Sequence, residues 1–418
     1  MPNVTRIESE VSTLLDEVSV PRTGRHESPG RDIEREIYLD YNGSAPLDPR
    51  VADVMVPILT KRSGNASSTH AFGRRQAVLV DDAREQVATL VGGSPNGVVF
   101  TASATEANNL ALRGALEGAP AGRDRMLVSA AEHASVSRTA KWLAERGLVR
   151  LNIVPITEGG FIDLAALESS LGPDVLLVSV IAANAETGVM NPLSEISEIV
   201  RETGALLHSD VTQFVGRMPL EMEELGIDLI SLSGHKICGP GGVGALVGSR
   251  RALRQLRPQI HGGGHERGLR SGSLNVAGIV GLGVAADLAR QERVPESRRV
   301  GRLCDRFTQA LKARLPYVSE IGDVNCRLPN TANLRFHGAD ADAVVANMDP
   351  VAASTGSACS SGSIEPSDVL LAMGLSREAA FECVRFSFGR FTTEQDIEVA
   401  LDRTAEAVTR VRSLSGLD

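Results

Sequence analysis

From about residue 76 the sequence alternates between helix-like and strand-like segments, and this alternation constrains the fold more than any other feature. Val80, Ala83, Val87 and Val91 recur at helical spacing, whereas short continuous apolar runs separate such segments. Continuous apolar runs are typical of strands that are buried on both faces. The pattern predicts an α/β fold with a mostly parallel central sheet and helices on both faces. The predicted strands are 97–103, 125–131, 175–184, 205–210, 228–236 and 242–248.

After about residue 285 the pattern changes. Long charged helical segments at 284–315 and 393–414, with short strands near 331–336 between them, indicate a smaller α+β domain. We therefore expect three regions along the chain. They are a polar, disordered leader at 1–36, a large domain at 52–285, and a small domain formed by 37–51 with 286–418.

Composition narrows the classes of function. The chain has 418 residues, a net charge of −9 and 3% aromatic residues, which is unlike a protein that binds nucleic acid directly. Five cysteines without a C-x-x-C pair argue against a disulfide framework or a zinc ribbon and fit a reducing cytoplasm. No apolar run is long enough for a membrane span, so we expect a cytoplasmic protein with no membrane partner.

Polar side chains cluster where the predicted strands end. Thr105, His133, Asn184, Asp210 and Lys236 each follow such a strand within a few residues. In parallel α/β sheets, ligands bind beyond the carboxyl ends of the strands. These residues therefore predict one shared site.

Lys236 and Asp210 together indicate the chemistry of that site. A lysine at a buried strand end has a lowered pKa and can form a Schiff base, and a nearby carboxylate can pair with the ring nitrogen of pyridoxal phosphate. Taken alone, the lysine is ordinarily a surface residue and the aspartate a helix cap. Taken together, at two strand ends of one sheet, they favour pyridoxal phosphate.

Two glycine- or serine-rich segments resemble anion sites. In 101–109, small residues follow a strand and precede a helix whose first N–H groups, with Ser103 and Thr105, suit a phosphate, although a plain helix cap fits as well. In "HGGGHERGLRSGS", His261 and His265 have the spacing of a zinc pair, but the three glycines between them disfavour a helix. We expect no metal there and interpret the loop as a backbone approach to an anion.

The run "STGSACSSGS" contains Cys359 among residues that pack poorly. The ordinary interpretation is a polar loop with an incidental cysteine. The alternative is a thiol on a flexible tether, since glycine and serine allow a side chain to travel.

From about Ile37 to about residue 413 the chain resembles the cysteine desulfurases of the nitrogenase and iron–sulfur-cluster type, which are class V members of the fold-type I pyridoxal-phosphate enzymes. The segments that carry the resemblance are "YLDYNGSAPLDPRV", "GNASSTHAFGR", "VVFTASATEANNLAL", "EHASV", "HSDVTQ", "SLSGHKICGPGGVGAL", "GGGHERGLRSGSLN", "LPNTANLRF", "STGSACSSGSIEPS" and "VRFSFGRFTTEQDI".

The resemblance implies a role for each matching residue. Lys236 would form the Schiff base and move the substrate's Cα proton, His133 would stack on the cofactor ring and assist acid–base steps, and Cys359 would take the sulfur. Arg385 would bind the substrate carboxylate, with Asn42 also in the substrate site. The implied cofactor contacts are Lys236, Ala104, Thr105, His133, Asn184, Asp210, Gln213, Ser233, His235 and Ser273. Ser273 would reach the phosphate of a neighbouring subunit, which implies a homodimer.

The implied activity is the conversion of L-cysteine to L-alanine, with a persulfide on Cys359 (loop 354–366) that passes to a protein sulfur acceptor. Family members supply iron–sulfur assembly, tRNA thiolation and DNA phosphorothioation, and the sequence does not select among these. Two alternatives stay open: a selenocysteine lyase or cysteine/cystine C–S lyase that needs no protein persulfide, and a non-catalytic partner that kept the fold.

The sequence departs from the family pattern at two places. In "ANAETG", Ala185 follows Asn184 where the family has a second asparagine that contacts the cofactor, and "NGSAP" replaces an alanine-threonine-threonine run. Either Asn184 compensates for Ala185 or one cofactor contact is missing.

Overall fold

The computed structural model describes residues 36–61, 64–355 and 365–414. The predicted leader at 1–36, apart from Glu36, therefore lies outside the described residues. So does Cys359, together with positions 356–364 of the predicted cysteine loop. Residues from Glu36 onward belong to one compact unit.

A seven-stranded sheet forms the centre of the fold, with the strand order β2-β8-β7-β6-β5-β3-β4. Pairings from β4 through β7 are parallel, and β8 is antiparallel to both of its neighbours, so the sheet is mostly parallel as predicted. The strands are β2 (Val98–Thr101), β3 (Arg125–Ser129), β4 (Arg150–Val154), β5 (Val175–Ser179), β6 (Leu206–Asp210), β7 (Leu229–Ser233) and β8 (Gly244–Gly248).

Helices cover both faces of this sheet. The helices are α1 (Pro49–Lys61), α2 (Ala71–Leu90), α3 (Ala104–Glu117), α4 (Ala134–Glu145), α5 (Leu164–Ser170), α6 (Leu193–Arg201), α7 (Met222–Leu225), α8 (Arg250–Gln255), α9 (Val276–Arg314), α10 (Ala341–Ala346), α11 (Asp368–Ala372), α12 (Arg377–Ala380) and α13 (Glu394–Leu414). Alternate residues of one strand enter different apolar clusters, with Val98 and Phe100 on one side and Val99 on the other. Because successive side chains of a strand point to opposite faces, the central strands must be apolar throughout.

A second, antiparallel sheet lies in the later part of the chain, with the order β12-β13-β10-β9. Its strands are β9 (Val318–Glu320), β10 (Thr331–Phe336), β12 (Ser354–Thr355) and β13 (Cys383–Ser387). A two-residue strand near the start of the described chain, β1 (Ile37–Tyr38), pairs in parallel with β11 (Val351–Ala352). Ile37 and Leu39 consequently share an apolar cluster with residues of α9, β10 and α13.

The predicted domain boundary at 285/286 falls within α9, which runs without interruption from Val276 to Arg314. Residues 279–289 of this helix pack in the core of the central sheet, and residues 300–311 pack in the core of the second sheet. One helix therefore connects the two cores, and the division into two domains stays a prediction. In the described part of the chain, no helix is long and apolar enough to cross a membrane.

Phe307 is the central aromatic residue of the second core. It is fully buried, and its ring centroid lies 4.8 Å from that of Phe386 and 5.5 Å from that of Phe388.

We predict that Phe307→Ala lowers the free energy of unfolding by about 3–5 kcal/mol, because the cavity cannot be refilled by rigid neighbours. Urea unfolding measures this loss. Val294→Ala, on the exposed face of the same helix, is the matched control and should change stability by less than about 0.5 kcal/mol; an equal loss in both variants would contradict the packing account.

Candidate functional site

The predicted site residues converge at the carboxyl ends of the central strands. Asp210 is the last residue of β6, and Lys236 lies three residues beyond β7 in a 3-10 turn. His133 follows β3 and caps α4, where its Nδ1 accepts a hydrogen bond from the Ser135 N–H at 3.1 Å. The sheet thus brings together residues that are about a hundred positions apart in the sequence.

Asp210 is held by a hydrogen-bond chain that leads back to His133. Asn108 Nδ2 donates to Asp210 Oδ2 at 2.7 Å and lies 2.8 Å from Ser135 Oγ, which in turn contacts His133 Nδ1 at 2.7 Å. The backbone N–H of Thr212 donates to Asp210 Oδ1 at 3.0 Å. One donor on each oxygen stabilises the ionised carboxylate although it is buried.

A second carboxyl group, Glu132, lies in a very different environment. Burial raises its pKa well above the usual range, the charge of Asp210 raises it further, and its Oε2 has no hydrogen-bond partner among the described residues. Beneath it, Ser179 Oγ lies 3.4 Å from Glu132 Oε1 and 2.9 Å from Nδ1 of the buried His208. Burial lowers the pKa of His208 to about 4. Burial therefore disfavours the charged forms of both Glu132 and His208 beneath the site.

Lys236 is anchored on a turn from the beginning of the described chain. Its Nζ donates to the carbonyl oxygens of Asn42 at 2.5 Å and of Gly43 at 2.6 Å. Gln213 Nε2 donates to the same Asn42 carbonyl at 2.9 Å, whereas Gln213 Oε1 is buried without a partner. His235, next to Lys236, contacts Ser44 Oγ through Nδ1 at 3.1 Å, and burial, with the adjacent Lys236 charge, lowers its pKa to about 4.

Arg385 is buried on β13 and faces the same turn. Its NH2 pairs with Asp40 Oδ1 at 2.5 Å, and its NH1 donates to the Ala185 carbonyl at 3.2 Å. The Nε–H group is buried and has no partner among the described residues. Arg385 therefore keeps its Nε–H donor for an anion such as a carboxylate.

Both ends of the Asn42 side chain make hydrogen bonds within the protein. Its Nδ2 donates to the Ala185 carbonyl at 3.1 Å and to Thr331 Oγ1 at 2.9 Å, and its Oδ1 accepts from Asn330 Nδ2 at 3.0 Å. The contact that Asn42 makes with the Lys236 side chain is through its backbone.

The structure also shows what Asn184 does beside Ala185. Asn184 Oδ1 accepts from the backbone N–H groups of Glu186 at 2.8 Å and Thr187 at 2.9 Å, and its Nδ2 donates to the Ala131 carbonyl at 3.1 Å. These bonds fold the turn that presents the Ala185 carbonyl to Arg385. The Asn184 side chain thus shapes the turn, and Ala185 adds only a methyl group at the cleft.

The segment predicted to bind an anion, 101–109, passes close to Gly244. This residue pairs with Thr101 on one side and Ser233 on the other, which places the N-terminus of α3 beside the end of β7. A Cβ at this position would lie 2.6 Å from the Leu232 oxygen and 2.7 Å from the Ser103 carbonyl carbon, so a larger residue would separate them. Ala104 is buried and Thr105 is exposed at the start of the helix, where free N–H groups favour an anion.

The loop that carries Ser273 is fastened to the first strand of the sheet. Glu266 accepts two hydrogen bonds from Arg84, at 2.8 and 2.9 Å, and one from the Phe100 N–H at 2.8 Å. Ser273 itself is exposed, and the segment from His261 to His265 is not helical, as the glycines predicted.

An open cleft of about 530 Å³ lies beside His133 and Arg385, whereas Lys236 lines a neighbouring pocket with Tyr41 and Arg390. The lining of the cleft includes Glu132, His133, Asn184, Glu186 and Arg385. Cys359 falls outside the described residues.

The comparisons with known proteins decide the family. The aminotransferase class-V family model matches residues 37–399. The chain belongs to this family. A cysteine desulfurase from Frankia sp. (strain EuIK1) is 47% identical over 388 residues, which cover 91% of this chain and 93% of that protein. A cysteine desulfurase IscS from Anaeromyxobacter dehalogenans (strain 2CP-C) is 42% identical over 382 residues, which cover 91% and 94%.

Solved structures agree with this membership. A NifS-like protein has a TM-score of 0.84 at 31% identity, covering 90% of this chain and all of that one. DndA from Streptomyces lividans has a TM-score of 0.72 at 37% identity, covering 83% of this chain and 98% of that one. The resemblance to the cysteine desulfurases and the fold-type I architecture are thereby confirmed.

Two residues that support the site were not predicted from the sequence. Asn108 holds Asp210, and Asp40 is the counterion of Arg385. A signal for Asn108 was present, because it is a polar residue on the face of a helix that packs against the sheet. Asp40 gave no such signal, since its partner lies 345 positions away.

Proposed function

We propose that this protein is a pyridoxal-phosphate-dependent cysteine desulfurase. L-Cysteine and the Cys359 thiol yield L-alanine and a persulfide on Cys359: the C–S bond of the substrate breaks, an S–S bond forms, and a proton reaches the carbon. The observation that carries this proposal is that one turn, residues 40–43, contacts both Lys236 Nζ and Arg385, while a hydrogen-bond chain joins Asp210 to His133 at the cleft. The chain also belongs to a family whose similar members include named cysteine desulfurases.

The residues of the cleft fit pyridoxal phosphate. Asp210 is a carboxylate with one donor on each oxygen, which suits a protonated pyridine nitrogen, and Gln213 Oε1 is a buried acceptor for a ring hydroxyl, without a partner among the described residues. The close approach at Gly244 fixes the start of α3 beside the end of β7, where helix N–H groups suit a phosphate. Residues assigned to the cofactor are Lys236, Ala104, Thr105, His133, Asn184, Asp210, Gln213, Ser233, His235 and, from a neighbouring subunit, Ser273. When bound, the cofactor withdraws electrons from the Cα of an amino acid.

The remaining roles belong to side chains of the chain itself. Arg385 Nε binds the substrate carboxylate, and Asp40 with the Ala185 carbonyl fixes the plane of the guanidinium. Lys236 Nζ, held at the Asn42 and Gly43 carbonyls, takes the Cα proton. His133 moves protons at the exposed side of the cleft. Asn42 contributes to the substrate site through the groups that it positions.

The described residues on either side of Cys359 lie at the cleft. Ser354 pairs in register with Arg385, and Glu365 is part of the cleft lining. Cys359 is four residues from Thr355, so the backbone can extend at most about 14 Å from that point. This tether keeps the thiol near the substrate, which supports its assignment as the sulfur acceptor within the enzyme.

We further propose that the enzyme is a cytoplasmic homodimer that passes sulfur to an acceptor protein, with iron–sulfur assembly among the destinations. The exposed position of Ser273 is consistent with a contact to a second subunit. The chain is not expected to contact nucleic acid directly.

The persulfide role of Cys359 is tested by Cys359→Ser. We predict that the variant keeps the visible absorbance of bound pyridoxal phosphate but releases sulfide from L-cysteine at least 100-fold more slowly, because serine cannot accept the sulfur. Cys326→Ser, a change at an exposed cysteine outside the cleft lining, is the control and should keep normal turnover. Normal turnover in Cys359→Ser would contradict the proposal, and selenide release from L-selenocysteine that survives in this variant would favour the lyase alternative.

Asn108 provides a test of the Asp210 site. Asn108→Ala removes the 2.7 Å hydrogen bond to Asp210 Oδ2. Hydrogen bonds to charged groups contribute about 1.5–3 kcal/mol, so the affinity for pyridoxal phosphate should fall by about 10- to 100-fold. Equilibrium dialysis with fluorescence detection measures the dissociation constant. The neighbouring Asn109, whose amide donates to the Thr105 carbonyl, is the matched control, and Asn109→Ala should bind within about threefold of the unchanged protein. Equal affinities in both variants would show that Asn108 does not support the cofactor site.

A further inference from the structure

Glu186 is a cleft residue to which the proposed mechanism gives no role. It follows Ala185 in the turn after β5, and its side chain contributes to the lining of the cleft that Arg385 also lines. Its Oε2 is buried and has no hydrogen-bond partner among the described residues. A buried carboxyl oxygen without a partner is costly, and such a group in a cleft suggests a ligand contact.

The backbone of Glu186 is held firmly at both ends. Its N–H donates to Asn184 Oδ1 at 2.8 Å, and its carbonyl accepts from Asn333 Nδ2 at 3.3 Å. The carbonyl of the preceding residue, Ala185, receives the 3.2 Å bond from Arg385 NH1. Arg385 is thus fastened to the turn that carries Glu186, and both residues line the same cleft.

The surroundings of Glu186 favour its neutral form. Burial raises the pKa of Glu186 to about 7, while a hydrogen bond with Ser367 and the positive charge of Arg385 oppose the increase, and Asp368 adds to it. Arg385 is already paired with Asp40, which weakens its pull on a second carboxylate. Cys383, on the same strand as Arg385, has a pKa raised by burial to about 12 and adds no charge near neutrality.

We infer that Glu186 is a second recognition residue for the substrate carboxylate: in its neutral form its O–H donates a hydrogen bond to the carboxylate that Arg385 binds, and in its ionised form it repels that carboxylate. The inference deepens the proposed function and rests on it only in taking an α-amino acid as the ligand.

The two forms have opposite effects on binding. A neutral carboxyl group supplies a donor to a carboxylate that otherwise depends on Arg385 alone, whereas an ionised one places two like charges in a buried space. The protonated form dominates below pH 7 and the ionised form above it. Substrate affinity should therefore fall as the pH rises through 7, because Glu186 of the protein ionises.

Glu186→Gln separates the two forms, because glutamine keeps the size and the donor and cannot ionise. L-Alanine is the probe, and its dissociation constant is measured on the holoenzyme from the change in the visible absorbance of the cofactor, with no sulfur transfer required. The ratio of the constants of the unchanged and variant proteins cancels the ionisation of alanine itself. We expect the dissociation constant of the unchanged protein to lie within about threefold of the variant's at pH 6 and to be about ten times larger at pH 8.5. A tenfold change corresponds to a shift of one unit in the pKa of Glu186 when the carboxylate ligand binds.

Glu365→Gln is the matched control. Glu365 also lines the cleft, but its side chain is 63% exposed and paired with Arg377, so its ratio should stay near one at both pH values. A ratio for Glu186→Gln that does not change with pH would overturn the inference and leave the desulfurase proposal intact. If L-alanine changes the spectrum of neither protein, the assignment of the cleft as an amino-acid site is wrong. The inference then fails together with the proposed function.

Discussion

The turn at residues 40–43 holds both Lys236 and Arg385. The carbonyl oxygens of Asn42 and Gly43 receive Lys236 Nζ, and the carboxylate of Asp40 pairs with Arg385. A buried arginine that loses its counterion costs about 3–5 kcal/mol, so the Asp40 pair is a strong constraint on how this turn packs. Asp40 also bridges to Ser387 of β13, so the turn joins the second sheet to the segment that follows β7.

The carboxyl groups of the site differ in their partners. Asp210 has a hydrogen-bond donor on each oxygen, whereas Glu132 and Glu186 each have a buried oxygen without a partner among the described residues and a pKa raised by burial. Different environments can give carboxyl groups of one site different roles. In this site the difference favours Asp210 for the proposed contact with a pyridine nitrogen.

The central strands were predictable because burial on both faces requires continuous apolar runs, and all six predicted strands contain an observed strand of four or five residues. The run 175–184 was predicted too long, since only Val175–Ser179 forms a strand and the rest leads into the Asn184 turn. Strand β4 gave no clear signal, because it lies at the edge of the sheet and most of its residues are exposed or half-buried. Apolar runs in a sequence reflect buried side chains, and an edge strand such as β4 has few of them.

Strand-end residues could be predicted as a group because parallel strands end on the same side of a sheet. The pairings that complete the site could not, because they join distant segments: Asn108 to Asp210, Asp40 to Arg385, and Asn42 to Lys236. The departure at Ala185 illustrates the difference. From the sequence it suggested a missing contact, and in the structure the backbone carbonyl at this position supports Arg385, which any residue type can supply.

The central claim is that pyridoxal phosphate binds to Lys236, beside the cleft that Arg385 lines. Borohydride reduction of the protein loaded with the cofactor, followed by peptide mass spectrometry, tests it most directly, because reduction fixes the cofactor to the lysine that holds it. The account predicts the added mass on the peptide that contains Lys236. Lys141 also lines the cleft and is the most stringent internal comparison. Label on Lys61, Lys141 or Lys312, or on no lysine, would contradict the account.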